Sequence, residues 1–289
     1  MEMKKIIYDF GANNGDNIKY YIQKSDMVIA IEADPKQCNI IKDQYQKEIV
    51  EQKLFIENCI VTSGASSNSE LFYLHKERSL LNQYPRPNDK DLHNFKQTTL
   101  PSKNIIEIIK KYGEPYYIKI DLENYDHIVL EELFINNIKP PYISAESMTL
   151  NTFAILVSLG NYKSFKLVNG DDVHLAYKNK IIETLNDKVD FSFPIHSAGP
   201  FGNDINGSWF TIENFLYLLS KETLGWKDIH CSSLDNPNRN ENYLNYNINN
   251  KQYLKDSNSI KSDKKINLLK KLNKKIINFS KKFFFKNAE

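Results

Sequence analysis

"IIYDFGANNGD" at residues 6–16 and "MVIAIEADP" at residues 27–35 decide the fold. Each begins as an apolar run of strand length and ends in turn-forming or acidic residues. Asn17–Lys24, between them, reads as a helix, so the chain opens as strand, glycine turn, helix, strand, the repeating unit of a parallel sheet. The second run is apolar enough to be buried on both faces, as parallel strands usually are. Pro35 then suits the start of a helix over about 36–47.

The same alternation continues outward. Strands are predicted at Leu54–Val61, Tyr116–Leu122, Tyr142–Ala145 and Phe165–Val168, and helices at Asn104–Lys111, His127–Asn136 and Thr152–Leu159. Residues 62–103 break the rhythm with "TSGASSNSE", a strand candidate "LFYLH" and the polar "NQYPRPNDKD", and are read as an insertion. The stretch after Val168 through Phe210 reads as irregular. The expected class is therefore α/β, a mainly parallel doubly wound sheet with helices on both faces, filling residues 1–234.

Residues 235–260 are Asn-rich and polar, the composition of a linker. In the segment 261–289, Ile266, Leu269, Leu272, Ile276, Phe279 and Phe283 recur at three- or four-residue spacing, with lysines on the other faces. That pattern predicts a basic amphipathic helix, which either docks on its own domain or lies on an anionic membrane surface.

Charge is distributed unevenly. The formal net charge is +2, but residues 261–289 carry ten lysines against Asp263 and Glu289, a surplus of +8 that leaves residues 1–260 at −6. An acidic body lacks the clustered Lys and Arg of a nucleic-acid surface, so no nucleic-acid partner is expected. No run of 18 apolar residues suggests a membrane span. The first strand starts directly after "MEMKK", which leaves no room for a secretory signal, so a cytoplasmic location is expected, peripheral to the membrane if the tail binds lipid. Cys38, Cys59 and Cys231 are too few and too scattered for a disulfide framework or a CxxC metal site, and are expected to be buried thiols.

The glycine turn limits the ligand. Gly11 and Gly15 are spaced Gly-x-x-x-Gly, with Asn13 where a dinucleotide fingerprint would place glycine, and no Gly-Lys-Ser/Thr marks a nucleoside triphosphate loop. Asp9 beside the turn repels phosphate and suits a cation. Glu32, at the carboxy end of the second strand, stands at the edge where open α/β sheets bind their ligands. A carboxylate there can accept both hydroxyls of a ribose, at about 1.5–3 kcal/mol for each charge-assisted hydrogen bond. The fourth strand delivers Asp121 and Glu123 to the same edge, and the fifth delivers Glu146.

In this order and spacing, "YDFGANNGD", "AIEADP" and "KIDLEN" resemble the motifs of the FkbM-type family of S-adenosylmethionine-dependent methyltransferases. The resemblance extends over roughly residues 5–210 and includes "PYISAES", "SLGNYKSFKLVNG" and "SAGPFGNDINGSW". Asn124 stands where the family pattern has glycine. The resemblance implies a Rossmann-like class I methyltransferase fold with S-adenosylmethionine as cofactor. By position it assigns Asp9, Gly11, Asn13 and Gly15 to the methionine part, Glu32 to the ribose, and Asp34 and residues 58–60, with Cys59, to the adenine side. Asp9 and Asp16 can face the cofactor's ammonium and sulfonium. The acceptors implied are hydroxyls on sugars of surface polysaccharides or on natural products.

Methyl transfer to an alcohol needs alignment, exclusion of water and removal of a proton. Asp121 or Glu123 is the expected general base or positioning group, with His196 in "FPIHSAGP" as a second candidate. The two carboxylates are also a pair that Mg²⁺ could use, the less favoured alternative. "GPFGND" at 199–204 is a candidate lid or acceptor wall, and Trp209 reads either as core packing or as a platform for a sugar face. A non-catalytic relative of the same fold and, less favoured, an NAD-dependent dehydrogenase are the competing readings.

Overall fold

A computed structural model describes residues 4–64, 67–222 and 225–234. Its centre is a seven-stranded sheet. The strands are β1 (Ile6–Phe10), β2 (Met27–Glu32), β3 (Leu54–Asn58), β7 (Tyr117–Ile120), β8 (Tyr142–Glu146), β9 (Ser164–Asn169) and β12 (Lys227–Ser232), in the spatial order β3-β2-β1-β7-β8-β12-β9. All neighbouring pairs from β3 to β8 are parallel, and β12 runs antiparallel to both β8 and β9. The chain moves outward from β1 in one direction through β2 and β3, then returns to the other side of β1 with β7. The β1/β7 boundary is thus the topological switch point where such sheets open a ligand crevice.

Side-chain alternation along β1 explains how both faces are buried. Ile6, Tyr8 and Phe10 join Ile29, Ile31, Ile118 and Ile120 in one core, closed by α4 (Ile105–Tyr112), α5 (Asp126–Ile135), α6 (Leu150–Ser158) and α8 (Ile212–Leu219). Ile7, Val28 and Tyr117 face the opposite core, closed by α1 (Ile18–Lys24) and α2 (Pro35–Gln44), through Ile18, Tyr21 and Ile41. Each fully buried side chain of this size contributes about 1.5–3 kcal/mol, so the sheet is held from both sides.

Four stretches depart from the sequence expectation. Leu54–Val61 is two strands: β3 stays in the main sheet, and β4 (Ile60–Thr62) turns away to pair with β6 (Phe95–Asn104). The Asn58 side chain makes the break, donating to the Glu32 and Ala33 carbonyls at 2.9 Å each, which satisfies β2 beyond its last strand partner. In the insertion, the strand candidate "LFYLH" lies within β5 (Ser69–His75), and the departure is its antiparallel partner β6 and the turn of 3-10 helix at Ser79–Leu81. The region read as irregular contains α7 (Val173–Ala176) and a hairpin of β10 (Lys180–Glu183) and β11 (Lys188–Phe191). Finally, β12 completes the sheet.

"GPFGND" is neither lid nor wall. Phe201 stacks on Tyr117 with ring centroids 4.1 Å apart, deep in the core under the sheet. Trp209 is also core rather than a platform: it is buried, stacked on Tyr142, and its Nε1 donates to Asn203 Oδ1. The three cysteines are buried free thiols. The linker over 235–260 and the basic helix over 261–289 lie outside the described residues. No described helix is long and apolar enough to cross a membrane.

Candidate active site

The carboxy ends of β1, β2, β3 and β7 and the insertion line a cleft that opens to solvent. Gly11, Asn13, Glu32, Cys59, Asp121 and Glu123 line it. These six were singled out from the sequence, and the fold brings them together. Asp9, Gly15, Asp16, Asp34 and His196 stand outside this lining.

Glu32 organises the β1/β2 end. It is buried, one carboxylate oxygen accepts the Asn13 N–H at 2.8 Å, and the other accepts the Asp34 N–H at 2.7 Å. The carboxylate thus fixes the glycine turn, and each oxygen keeps a lone pair for a further donor in the cleft. Burial is the main cause that pushes its pKa up to about 7, against the two N–H donors. Asp34 caps α2 by accepting the Lys36 N–H, and its second oxygen accepts from Asn82 of the insertion.

The glycines have distinct reasons. Gly11 has φ +82°, and a Cβ there would stand 1.9 Å from the Asp121 carbonyl oxygen. Gly15 has φ +86° and packs against Ile18, Ile41 and Tyr45, so it seats α1 and α2 rather than the cleft. After β7 the backbone enters the left-handed region at Glu123 (φ 49°) and Asn124 (φ 73°). Asparagine is the side-chain-bearing residue that tolerates this best, which accounts for Asn124 where glycine is the pattern.

Lys119 is the residue the sequence reading missed. It is buried in the middle of β7, opposite Asp9 in register. Its Nζ donates to the Gly11 carbonyl at 3.1 Å and lies 3.1 Å from Asp121 Oδ2 and 3.5 Å from Asp9 Oδ1. Burial opposes its charge, but Asp121, Asp9 and Asp228 prevail and hold the ammonium above the usual lysine range. The signal was a lysine inside the apolar run "YYIKI". Asp9 is fully buried with neither oxygen in hydrogen-bond geometry, and burial raises its pKa to about 6 despite Lys119. Asp16 is half-buried beside the turn.

On the acceptor side, burial pushes Glu123 up to about 8, helped by the negative charge of Asp121 and Asp126. The insertion closes the opposite wall: Tyr84 packs edge-on against Tyr125 with centroids 5.2 Å apart, and Ser79 Oγ donates to Asn13 Oδ1. His196 is exposed and stacked on Trp226 with centroids 6.2 Å apart. Its loop is tied to the start of α1, where Ser197 Oγ and Ala198 N–H both donate to Asn17 Oδ1.

The donor set fits the methyl donor the resemblance implies. Glu32, Asp121 and Glu123 line the cleft, with no Lys, Arg or His among its described lining residues. Such a surface repels phosphate and favours a cation. Among the described residues, no group of three or more His, Cys, Asp or Glu is arranged to hold a metal ion, so no role is derived for Mg²⁺.

Comparison with known proteins agrees with this assignment at the family level. The model of the methyltransferase FkbM domain matches residues 9–166. The chain belongs to the FkbM methyltransferase family, whose fold implies S-adenosylmethionine binding. Among solved structures, the FkbM methyltransferase from Methylobacillus flagellatus KT is similar at 17% identity over 57% of this chain, with a TM-score of 0.39. This chain covers 40% of that protein. The C-terminal domain of precorrin-6Y C5,15-methyltransferase from Rhodobacter capsulatus is similar at 8% identity over 80% of both chains, with a TM-score of 0.37. At these scores the likenesses carry no statement about substrate. No curated protein matches the chain.

Proposed function

We propose that this chain is an S-adenosylmethionine-dependent O-methyltransferase acting on a hydroxyl of a sugar in a surface polysaccharide or glycoconjugate. The observation that carries the cofactor half of this reading is the cleft at the switch point, whose described lining presents three carboxylates and no cationic side chain, Lys119 lying beneath it and bound to Gly11, Asp121 and Asp9. Bound S-adenosylmethionine supplies a methyl group already activated on a sulfonium. Glu32 takes the ribose hydroxyls, and Ile31, Ala33, Cys59 and Ile60 offer an apolar seat for the adenine. Asp9 and Asp16 supply negative potential beside the turn.

The remaining chemistry falls to Glu123 and Asp121. On methylation of an acceptor hydroxyl, its proton would pass to the Glu123 carboxylate. A carboxylate whose pKa is raised to about 8 is a far better proton acceptor than an ordinary one. Asp121, held by Lys119, orients the acceptor. His196, exposed on a loop against Trp226, serves the rim rather than the proton transfer.

Calorimetric titration of S-adenosylhomocysteine against NAD tests the cofactor assignment, repeated with Glu32→Ala. Tight binding of S-adenosylhomocysteine alone, weakened by about two to four powers of ten in the variant, is the expected result. Binding of NAD instead would overturn it. Methyl transfer from a labelled donor to candidate glycans, followed by product analysis, tests the sugar hydroxyl. The lysine-rich stretch 261–289 supports a peripheral contact with anionic membrane, where lipid-linked saccharides reside. Vesicle flotation of the full chain against one ending at residue 234 tests that contact, and equal binding by both would dismiss it.

A further inference from the structure

A second group of acids stands on the other side of Asp121 from the methyl-donor cleft. Glu146 ends β8 and Asp228 is the second residue of β12, and the antiparallel register sets them directly opposite each other. Opposed residues on neighbouring strands project to the same face, with like charges there destabilising the pair. Both are more than nine-tenths buried, and Glu146 Oε2 has no hydrogen-bond partner among the described residues.

The nearest third acid and the nearest buried cation already have partners of their own. Both Asp126 oxygens accept backbone N–H groups, from Leu122 and from Glu146 itself. Lys119 donates to Gly11 and pairs with Asp121 and Asp9, and its charge reaches Asp228 without a direct ion pair. Burial, with Asp121 and Asp228 adding their charge, pushes Glu146 up to about 10.

An aromatic surface completes the arrangement. Trp226 precedes Asp228 by two residues, 38% exposed, and its backbone carbonyl accepts the Gly170 N–H at 3.0 Å. A Cβ on Gly170 would stand 2.5 Å from the indole, so the glycine lets the ring lie flat against the end of β9. The His196 ring stacks on it from the other loop. The part of the indole left exposed between Gly170 and His196 offers a sugar ring an apolar contact, and the opposed carboxylates can hold an ammonium by charge-assisted hydrogen bonds.

We infer that Glu146, Asp228 and Trp226 form an acceptor subsite for a protonated amine, so that the sugar receiving the methyl group is an amino sugar. This rests on the methyltransferase reading of the adjoining cleft. The full chain saturated with S-adenosylhomocysteine is titrated with glucosamine, glucose and N-acetylglucosamine, which share a ring and differ in the amine. Glucosamine is expected to bind about tenfold or more tightly than the other two, the change that one charge-assisted hydrogen bond brings. Glu146→Gln and Asp228→Asn should each remove that preference, whereas Trp226→Ala should weaken all three sugars together. The affinity of every variant for S-adenosylhomocysteine is the check on folding. Equal binding of the three sugars to the loaded protein, or a preference that survives both carboxylate substitutions, overturns the subsite while leaving the cofactor reading intact. Failure of S-adenosylhomocysteine to bind the unaltered chain overturns both.

Discussion

Gly11 and Asp121 touch across the switch point so closely that no side chain fits between them: a Cβ on Gly11 would lie 1.9 Å from the Asp121 carbonyl oxygen. The end of β1 and the end of β7 are therefore one structural joint. Gly11→Ala meets both this contact and φ +82°, and is expected to cost about 3 kcal/mol or more in urea unfolding. Gly207→Ala has a similar φ of +79° with nothing within 4 Å, and should cost only about 1 kcal/mol. Equal losses in the two variants would show that the joint is not close-packed.

Lys119→Met should be more damaging than its place in an apolar strand suggests. The substitution removes the shared cation from buried Asp9 and from Asp121 together. Breaking a buried pair on one side typically costs about 3–5 kcal/mol, and chemical denaturation measures it. Pairing it with Asp9→Asn should recover part of the loss, since the stranded charge goes with it.

Glu123 sets an expected pH–rate profile. With its pKa raised to about 8 by burial, turnover should rise with pH and level off above that value. Glu123→Gln should lower kcat by roughly 10²–10⁴ and remove this limb of the profile. Radiolabelled methyl transfer across pH reads both, and an unchanged profile in the variant would assign the proton to another group.

Stability should run against the usual acid trend. Burial raises Asp9 to about 6, Glu32 and Asp126 to about 7, and Glu123 and Asp228 to about 8. Between about pH 4 and 8 the native chain therefore holds more protons than the unfolded one, and stability falls as pH rises through that window. The ligand-free chain should be more stable at about pH 5 than at about pH 8.5, by on the order of several kcal/mol. Glu57 acts oppositely. Burial works against its charge, but hydrogen bonds from Lys103, Lys111 and Tyr112 prevail and pull it down to about 2, so its contribution is lost as pH falls toward that value. Urea titrations across pH locate the maximum.

Much of the switch point was legible because its strands carry continuous apolar runs that end in acids. β1, β2, β7 and β8 are buried throughout, so hydrophobicity alone outlined them within a residue or two. β6 was not legible. Its first seven residues are exposed or half-buried, it contains Pro101, its two buried residues Ser102 and Asn104 are polar, and it is held by pairing with β5 and β4. β12 escaped for the opposite reason: Asp228, His230 and Ser232 are buried polar residues that make a core strand look like a loop. Trp209 could be read either way, since aromatic residues near glycines suit a binding platform as well as the core in which it is buried. Lys119, a charge inside a strand, shows its role only when the register sets it opposite Asp9.

Among the described residues, β9 has no partner in the central sheet other than β12, and β12 is the last described strand to be synthesised. Until residues 227–232 emerge, β8 would present an open edge and β9 would have nowhere in the sheet to attach, the kind of exposed strand that invites wrong pairing. The late strand also supplies Asp228, so closing the sheet and completing the acid edge are one event in the life of the nascent chain.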